Sequence, residues 1–275
     1  MHYVRPTTLA SALDLLADDA STIPVAGGTD VYPAHVGRPI GAPVLDLSHL
    51  DELRGIETGS DRVRIGALTT WSEIAAAALP TGLAALQQAA VEVGGKQVQN
   101  VATIGGNLCN ASPAADGVPP LLAVDAEVEL ASSEGVRQIA LHEFLVGYRA
   151  TARRPDELVT AVVVPIEAAA GRSSFSKLGS RRYLVISIVM VAARVVTENG
   201  TVTDAAVAVG ACSPVALRLH TYEQALIGAP VDGLPATTDD HLTALTPIDD
   251  SRAPAGYRLD ASKTLVDRTV AACLR

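Results

Sequence analysis

The chain is poor in cysteine, and this shortage excludes two kinds of protein. Its 275 residues include three cysteines, Cys109, Cys212 and Cys273, which lie far apart with no Cys-x-x-Cys pair. Such spacing argues against a disulfide framework and fits a reducing compartment. An iron–sulfur cluster normally needs four cysteine thiolates, so any cluster that the chemistry requires must be supplied by a partner.

Positive charge and long apolar runs are also scarce. The 21 Lys and Arg residues are outnumbered by 30 Asp and Glu, which gives a net charge of −9, so a nucleic-acid backbone or an anionic membrane would on average be repelled. The longest apolar run, Leu184 to Ala193, is well short of the roughly 20 residues that span a bilayer. The first residues lack the pattern of a secretion signal. We therefore expect a cytoplasmic chain without a membrane span.

The sequence also lacks the usual signs of a metal or hydrolytic site. No histidine stands at metal-ligand spacing from another, and no nucleophile elbow is present. We predict neither a metal site nor a catalytic residue on this chain. The histidines are His2, His35, His49, His142, His220 and His241.

What is present is an alternation of amphipathic helices and short strands. A helix is expected after Pro6, with Thr7 or Thr8 as its cap, and it leads to strands at Ile23–Ala26 and Val44–Leu47 in a unit of β-α-β type. Further elements are expected as a strand at Val63–Leu68, helices at Trp71–Ala78 and Leu83–Val93, a half-exposed strand at Val124–Leu130 and a buried strand ending at Pro165.

A second module is predicted to follow a small, polar linker at Glu167–Ser174. It contains apolar segments at Ser187–Val196 and Val202–Val209 that fit either strands or helices. Two helices are expected beyond them, near Tyr222–Ile227 and at Ala261–Leu274.

Two glycine-rich stretches are the most informative feature of the chain. Gly27-Gly28 follows a β-branched strand, and Gly105-Gly106 lies within Asn100–Asp116. A Gly-Gly pair lets main-chain N–H groups approach an anion that Cβ atoms would block. Two such loops suit a diphosphate, and the chain has no Gly-x-Gly-x-x-Gly fingerprint, which favours a flavin nucleotide held outside a Rossmann domain.

The two stretches differ in specificity. Gly27 to Asp30 would equally fit an ordinary strand-to-helix turn, and Asp30 would have to point its carboxylate away from a diphosphate and brace the loop. Thr103 to Asn107 is more specific, because it offers a hydroxyl, two unencumbered amides and a carboxamide in five residues. Asp116 could accept a hydrogen bond from a ribose or ribityl hydroxyl.

Three residues further along could face a flavin ring. Lys177 is a candidate for stabilising a reduced, anionic flavin, although Lys177 with Arg181 and Arg182 would equally form a solvated face. Leu158 and Val159 could pack on the ring, and as isolated residues they also fit a core.

An ordered set of motifs then gives a resemblance that spans nearly the whole chain. Its members are Ala26–Asp30, Thr103–Asn107, Ala111–Pro113 with Asp116, Leu121–Val128, Pro155–Leu158, Lys177–Arg182 and Gly210–Val215. In this order the set resembles the FAD-binding medium subunit of the molybdenum hydroxylases. Tyr32 stands where many relatives have an aliphatic residue.

The resemblance implies a vanillyl-alcohol-oxidase-type (PCMH-type) FAD-binding domain at 1–168, with subdomains at about 1–55 and 56–168. A C-terminal α+β domain of the carbon monoxide dehydrogenase flavoprotein type would occupy 169–275. The residues implied to hold noncovalent FAD are Ala26, Gly27, Gly28, Thr29, Asp30, Thr103, Ile104, Gly105, Gly106, Asn107, Asp116, Val159 and Lys177.

The family also implies partners and a function. A small subunit would bear [2Fe-2S] clusters and a large subunit molybdopterin, in a dimer of heterotrimers, and this chain would transfer electrons through FAD to a terminal acceptor. Two alternatives stay open from the residues alone: a self-contained FAD-dependent oxidoreductase of the same fold, and a nucleotide-binding assembly protein without redox chemistry.

Overall fold

The computed structural model describes residues 3–275 and is an α+β protein with three main sheets. Its strands are β1 (Tyr3–Val4), β2 (Ile23–Val25), β3 (Val44–Asp46), β4 (Ile56–Thr58), β5 (Arg62–Gly66), β6 (Glu127–Ser132), β7 (Gly135–Ala140), β8 (Leu145–Gly147), β9 (Ala150–Thr151), β10 (Leu158–Pro165), β11 (Arg172–Leu178), β12 (Val189–Glu198), β13 (Thr201–Gly210) and β14 (Leu217–Arg218).

The helices alternate with these strands. They are α1 (Leu9–Asp18), α2 (Val31–Ala34), α3 (Trp71–Ala76), α4 (Ala84–Glu92), α5 (Lys96–Gln99), α6 (Ile104–Asn110), α7 (Val118–Leu122), α8 (Leu141–Phe144), α9 (His220–Leu226) and α10 (Ala255–Cys273). In the described part of the chain, none of them has the length and apolar character needed to cross a bilayer.

The first sheet is small and parallel, in the order β1-β3-β2. Helix α1 begins at Thr8, whose side chain accepts a hydrogen bond from the N–H of Ser11, and this satisfies one of the free donors of the first turn. Its apolar face buries Ala12, Leu13 and Leu16. The predicted helix, its threonine cap and the two strands that follow it are confirmed.

The second sheet is antiparallel, in the order β4-β5-β10-β6-β7. Its central strand β10 is buried along nearly its whole length, as a continuous apolar run predicts. The strand predicted from Val124 begins instead at Glu127. The cause is a turn, because Asp125 has a left-handed φ of 47° and the N–H of Ala126 donates to Leu121 O.

The third sheet is antiparallel and joins β11, β12, β13 and β14 in chain order. The segments that fitted either strands or helices are strands β12 and β13, which form the longest pairing in the protein. The predicted linker is shorter than expected, since Arg172–Ser174 already belongs to β11. Helix α10 packs on this sheet and begins at Ala255, six residues before the predicted start.

Helix α4 and the end of α7 pack on the third sheet. Ala85 and Ala89 of α4 and Ala123 pack against Phe175 and Met190 of the third sheet. The small alanine side chains let these elements approach closely.

Two arginines of the third sheet also cross this contact. Arg194 Nε donates to Ala123 O at 3.0 Å and Arg218 Nη1 to Leu122 O at 3.3 Å. The third sheet is thereby fixed to the end of α7 at a defined angle.

Candidate functional site

A cleft of about 480 Å³ lies between the first glycine segment, the start of α6 and the hairpin region that leads into β10. It brings together most of the residues that the sequence predicted for a cofactor. Those that line it are Ala26, Gly27, Gly28, Thr29, Asp30, Thr103, Gly105, Gly106, Asn107 and Val159, together with Leu158.

The first glycine pair is required by its own chain geometry. A Cβ on Gly27 would lie 1.9 Å from the carbonyl oxygen of Val101. Gly28 has a φ of 68°, and a Cβ there would lie 2.2 Å from the ring of Tyr32. Glycine is therefore needed for close packing at one position and for a left-handed turn at the other.

The backbone N–H groups of this loop are available to a ligand. Within residues 3–275, the N–H groups of Gly27, Gly28, Thr29 and Asp30 donate no hydrogen bond. Asp30 occupies the N-cap position of α2 but its side chain makes no capping hydrogen bond, so it does not brace the loop in the way we expected. Consecutive free amides of this kind form a concave donor array suited to an anion.

The second glycine pair was predicted to lie in a loop, and that prediction is wrong. Thr103 is the N-cap of α6, and Gly105 and Gly106 lie in its first turn. The Gly105 N–H donates to Ala67 O at 2.9 Å, and the Gly106 N–H donates to the Thr103 hydroxyl at 3.1 Å. The Gly105 amide holds α6 on the turn after β5 and the Gly106 amide completes the cap of α6, so neither is a free donor as those of the first loop are.

The same packing explains Gly105. A Cβ there would lie 2.8 Å from both the Cβ and the carbonyl oxygen of Ala67. Ile104 does not reach the cleft, because it is fully buried in the core of the second sheet.

Two polar atoms in the cleft wall lack partners. Trp71 Nε1 and Asn107 Oδ1 are buried and make no hydrogen bond to the described residues, and both residues line the cleft. Since buried polar atoms in proteins are nearly always paired, these two point to a ligand with both donor and acceptor groups. Trp71 was not predicted as a site residue, and its position at the start of a capped helix gave no sign of it.

Asp116 and Lys177 lie outside this cleft and bind each other. Lys177 Nζ is 2.7 Å from Asp116 Oδ2, and both side chains are less than a tenth exposed. Ser187 Oγ donates to the other carboxylate oxygen at 2.9 Å. Burial raises the pKa of Asp116, while the charge of Lys177 opposes that shift.

Lys177 also borders a second cavity. This cavity, of about 560 Å³, is lined by the C-terminal end of α4 and by the segment from Phe175 to Val185. Lys177 Nζ donates to Glu92 O at 3.2 Å. Since Val93 lines the first cleft, the end of α4 is shared between the two spaces.

The end of the cleft at β10 is held by a buried carboxylate. Glu157 is 2 % exposed and accepts hydrogen bonds from Arg137 Nε at 2.6 Å and from the N–H of Arg154 at 2.7 Å. The hydrogen bond from Arg137 keeps the pKa of Glu157 below its usual value. This ionised anchor fixes the turn that places Leu158 and Val159 in the cleft wall.

Comparison with known proteins gives a consistent result along the whole chain. Residues 1–167 match the family model described as FAD binding domain in molybdopterin dehydrogenase, and residues 174–273 match that of the CO dehydrogenase flavoprotein C-terminal domain. The chain belongs to the FAD-binding subunits of the molybdenum hydroxylases.

Individual relatives agree with this family. The chain is 33% identical to the xanthine dehydrogenase FAD-binding subunit of Escherichia coli O157:H7, over 98% of this chain and 94% of that one. It is 34% identical to the nicotinate dehydrogenase FAD-subunit of Eubacterium barkeri, over 83% of this chain and 80% of the relative. The structure of carbon monoxide dehydrogenase from Hydrogenophaga pseudoflava superposes with a TM-score of 0.87 at 26% identity, covering 100% of this chain and 97% of that chain.

The family assignment confirms the resemblance that the sequence motifs gave. The fold is a PCMH-type FAD-binding domain followed by a C-terminal domain of the CO dehydrogenase flavoprotein type. As a member of this family of oxidoreductase subunits, the chain is a flavoprotein whose function is electron transfer through FAD. The two alternatives left open by the sequence are not favoured by these relatives.

Proposed function

We propose that this FAD-binding subunit works in the cytoplasm in a complex with two other chains, in a dimer of heterotrimers. It would receive electrons from [2Fe-2S] clusters of a small subunit, and a large molybdopterin subunit would oxidise the organic substrate. The three widely spaced cysteines of this chain support the proposal, since they are too few to hold a cluster of their own.

We assign the diphosphate of FAD to the loop from Gly27 to Asp30. The supporting observation is the run of backbone N–H groups that donate no hydrogen bond and belong to residues lining the cleft. Main-chain donors suit a diphosphate because they are fixed in direction and lose no side-chain entropy on binding. Ala26 would contribute the strand end from which this loop begins.

The remaining predicted residues have different roles in this proposal. Thr103, Gly105, Gly106 and Asn107 would form the opposite wall, with Asn107 Oδ1 accepting a hydrogen bond from the cofactor, and Ile104 would act through the core beneath them. Val159 would pack on an apolar part of FAD. Asp116 and Lys177 would reach the flavin or its polyol from the adjoining cavity.

The proposed domain boundaries separate parts of the chain that contribute different walls of the FAD site. We propose an FAD-binding domain at 1–168, with subdomains of about 1–55 and 56–168, and a C-terminal domain at 169–275. The first subdomain would supply the amide loop and the second the facing wall. Strand β11 would bring Lys177 from the C-terminal domain to their edge.

When bound, FAD supplies the ability to take up electrons one at a time and to release two. This chain holds the cofactor, excludes water from the cleft and places charge beside it. No acid or base of this chain is required to touch the organic substrate in this proposal.

Purification from the native host tests the proposal. We expect two companion chains, molybdenum and iron to co-purify with this one, and we expect the isolated chain to show a flavin spectrum without turning over substrate. Turnover by the isolated chain would instead indicate a self-contained flavoenzyme. A colourless chain that binds another nucleotide would indicate an assembly protein.

A further inference from the structure

The charge of the cleft is opposite in sign to that of the whole protein. The chain carries a net charge of −9. Among residues 3–275, those that line the cleft include Asp30 as the acidic residue and two basic residues, Arg149 and Arg153. In a chain where acidic residues prevail, two arginines that line the same cleft as the free amides mark a local site for an anion.

These two arginines differ from the arginines that contact Glu157. Arg137 and Arg154 both lie within 4 Å of the buried carboxylate of Glu157. Arg149 and Arg153 form no ion pair with any carboxylate in the described chain. Glu157 is thus already paired with its neighbouring arginines. Arg149 and Arg153, which line the cleft, have no carboxylate partner in the described chain.

Arg153 is the better placed of the two. Its Nη1 donates to the carbonyl oxygens of Arg154 at 3.0 Å, Pro155 at 3.3 Å and Glu157 at 2.6 Å. These bonds occupy one nitrogen and hold the guanidinium in a fixed orientation, so that Nε and Nη2 remain as donors. Arg149 is exposed and stands 5.9 Å from the ring of Tyr148, and an exposed charge is weakened by solvent and salt.

We propose that Arg153 is a further cofactor-binding residue, whose guanidinium contacts the diphosphate of the bound dinucleotide and balances its negative charge. The backbone loop at Gly27 to Asp30 supplies directed donors without a full charge, and Arg153 supplies the charge. A half-buried arginine held in place suits this role, since a charge-assisted hydrogen bond is about twice as strong as a neutral one. This inference rests on the proposed function, because it requires FAD in the cleft.

The test measures FAD binding by the apoprotein through the quenching of flavin fluorescence. Replacement of Arg153 by Met should weaken FAD binding about tenfold, the loss expected for one charge-assisted contact. Arg154→Met is the matched control, because Arg154 is adjacent, exposed and absent from the cleft wall. The control should bind FAD as the unaltered protein does.

Salt dependence separates a charge contact from a structural effect. Raising NaCl from about 50 mM to about 500 mM should weaken FAD binding by the unaltered protein and by Arg153→Lys, and should have a smaller effect on Arg153→Met. If the Met variant melts at a lower temperature, Arg153→Gln replaces it, since glutamine removes the charge and can still donate to the turn.

The outcomes distinguish this inference from the function on which it rests. If the unaltered chain binds no FAD, the proposed function fails. If the unaltered chain binds FAD and Arg153→Met binds it equally well, or with unchanged salt dependence, Arg153 does not contact the diphosphate and this inference alone is overturned.

Discussion

Individual glycines in the cleft are constrained by different neighbours. A methyl group on Gly27 would meet a backbone carbonyl oxygen at 1.9 Å, whereas one on Gly106 would meet the Thr103 hydroxyl at 3.0 Å. A backbone atom can move only with its whole segment, while a hydroxyl can shift by a few tenths of an ångström. Replacement by alanine should therefore have a larger effect at Gly27 than at Gly106.

We expect Gly27→Ala to lower FAD affinity at least about tenfold, because overpacking of about 1–3 kcal/mol must displace the loop that offers the free amides. Gly106→Ala should retain FAD within about threefold, since alanine also suits a helix better than glycine. Equilibrium dialysis of FAD against each apoprotein measures the difference. Equal loss in both variants would show that the first loop has no special part in binding.

Chemical labelling of Cys109 can show whether FAD occupies the cleft. It is exposed and lines the cleft, whereas Cys212 and Cys273 are buried. Protein atoms nevertheless crowd its sulfur, and this desolvation raises the pKa of the thiol to about 11. The exposed residue can contact an alkylating reagent, and the raised pKa predicts slow labelling at neutral pH that accelerates as the pH rises.

Labelling of the native apoprotein with a maleimide should therefore modify Cys109 first, and bound FAD should slow this reaction severalfold. Peptide mass mapping identifies the modified cysteine, and Cys109→Ser is the control. Modification of Cys212 or Cys273 at the same rate, or a rate independent of FAD, would contradict the location of the cofactor in this cleft.

Among the helices and strands, the sequence predicted the ones whose buried face is apolar. Helix α1 and strands β2, β3 and β10 were found because their hydrophobic periodicity matches their burial. The start of α10 was missed because Arg258 is buried on its inner face, and a polar residue there breaks the apolar pattern. Helix α6 was missed because a Gly-Gly pair is a poor helix former, and its Thr103 cap and its packing on Ala67 favour the helix.

Arg258 depends on one carboxylate for its charge balance. The residue is fully buried, and its Nη2 donates to Asp250 Oδ1 at 2.7 Å. Hydrogen bonds from Arg252 hold the pKa of Asp250 well below its usual value. The pair joins α10 to the irregular segment that precedes it.

Replacement of Asp250 by Asn should lower the free energy of unfolding by roughly 2–3 kcal/mol at neutral pH, because a buried guanidinium loses its counter-charge. A carboxylate with a depressed folded pKa contributes stability that is present above its unfolded pKa of about 4 and is lost as the pH falls below it. The difference between the two proteins should therefore shrink below about pH 4.

Urea unfolding between pH 7 and pH 3 measures this effect. Asp260→Asn is the control, because Asp260 is mostly exposed and pairs with Lys263 at 3.2 Å. It should change the free energy of unfolding by less than about 1 kcal/mol. A difference for Asp250→Asn that grows toward low pH would contradict the assigned ion pair.

At the scale of the whole molecule, the contact between the FAD-binding part and the C-terminal part has both apolar and ionic components. The packing of Ala85, Ala89 and Ala123 against the third sheet could not be predicted from the sequence, because alanine fits a helix, a strand or a surface equally well. The sequence selected Asp116 and Lys177 as separate flavin ligands, and it could not show that residues 61 positions apart bind each other. That pairing depends on how β11 lies against the segment after α6.

The buried pair should behave as one unit in stability measurements. Lys177→Met leaves a buried carboxylate and Asp116→Asn a buried ammonium group, and each should lower the free energy of unfolding of the apoprotein by about 3 kcal/mol. The double variant buries no net charge, so its loss should be smaller than the sum by about 1–3 kcal/mol. Ser187→Ala is the control, since it removes one hydrogen bond worth about 1 kcal/mol and leaves both charges paired. Urea unfolding of the four proteins gives the interaction energy. Additive losses would mean that this ion pair does not hold the two parts of the chain together, and that Lys177 is free to serve the flavin without first breaking an ion pair.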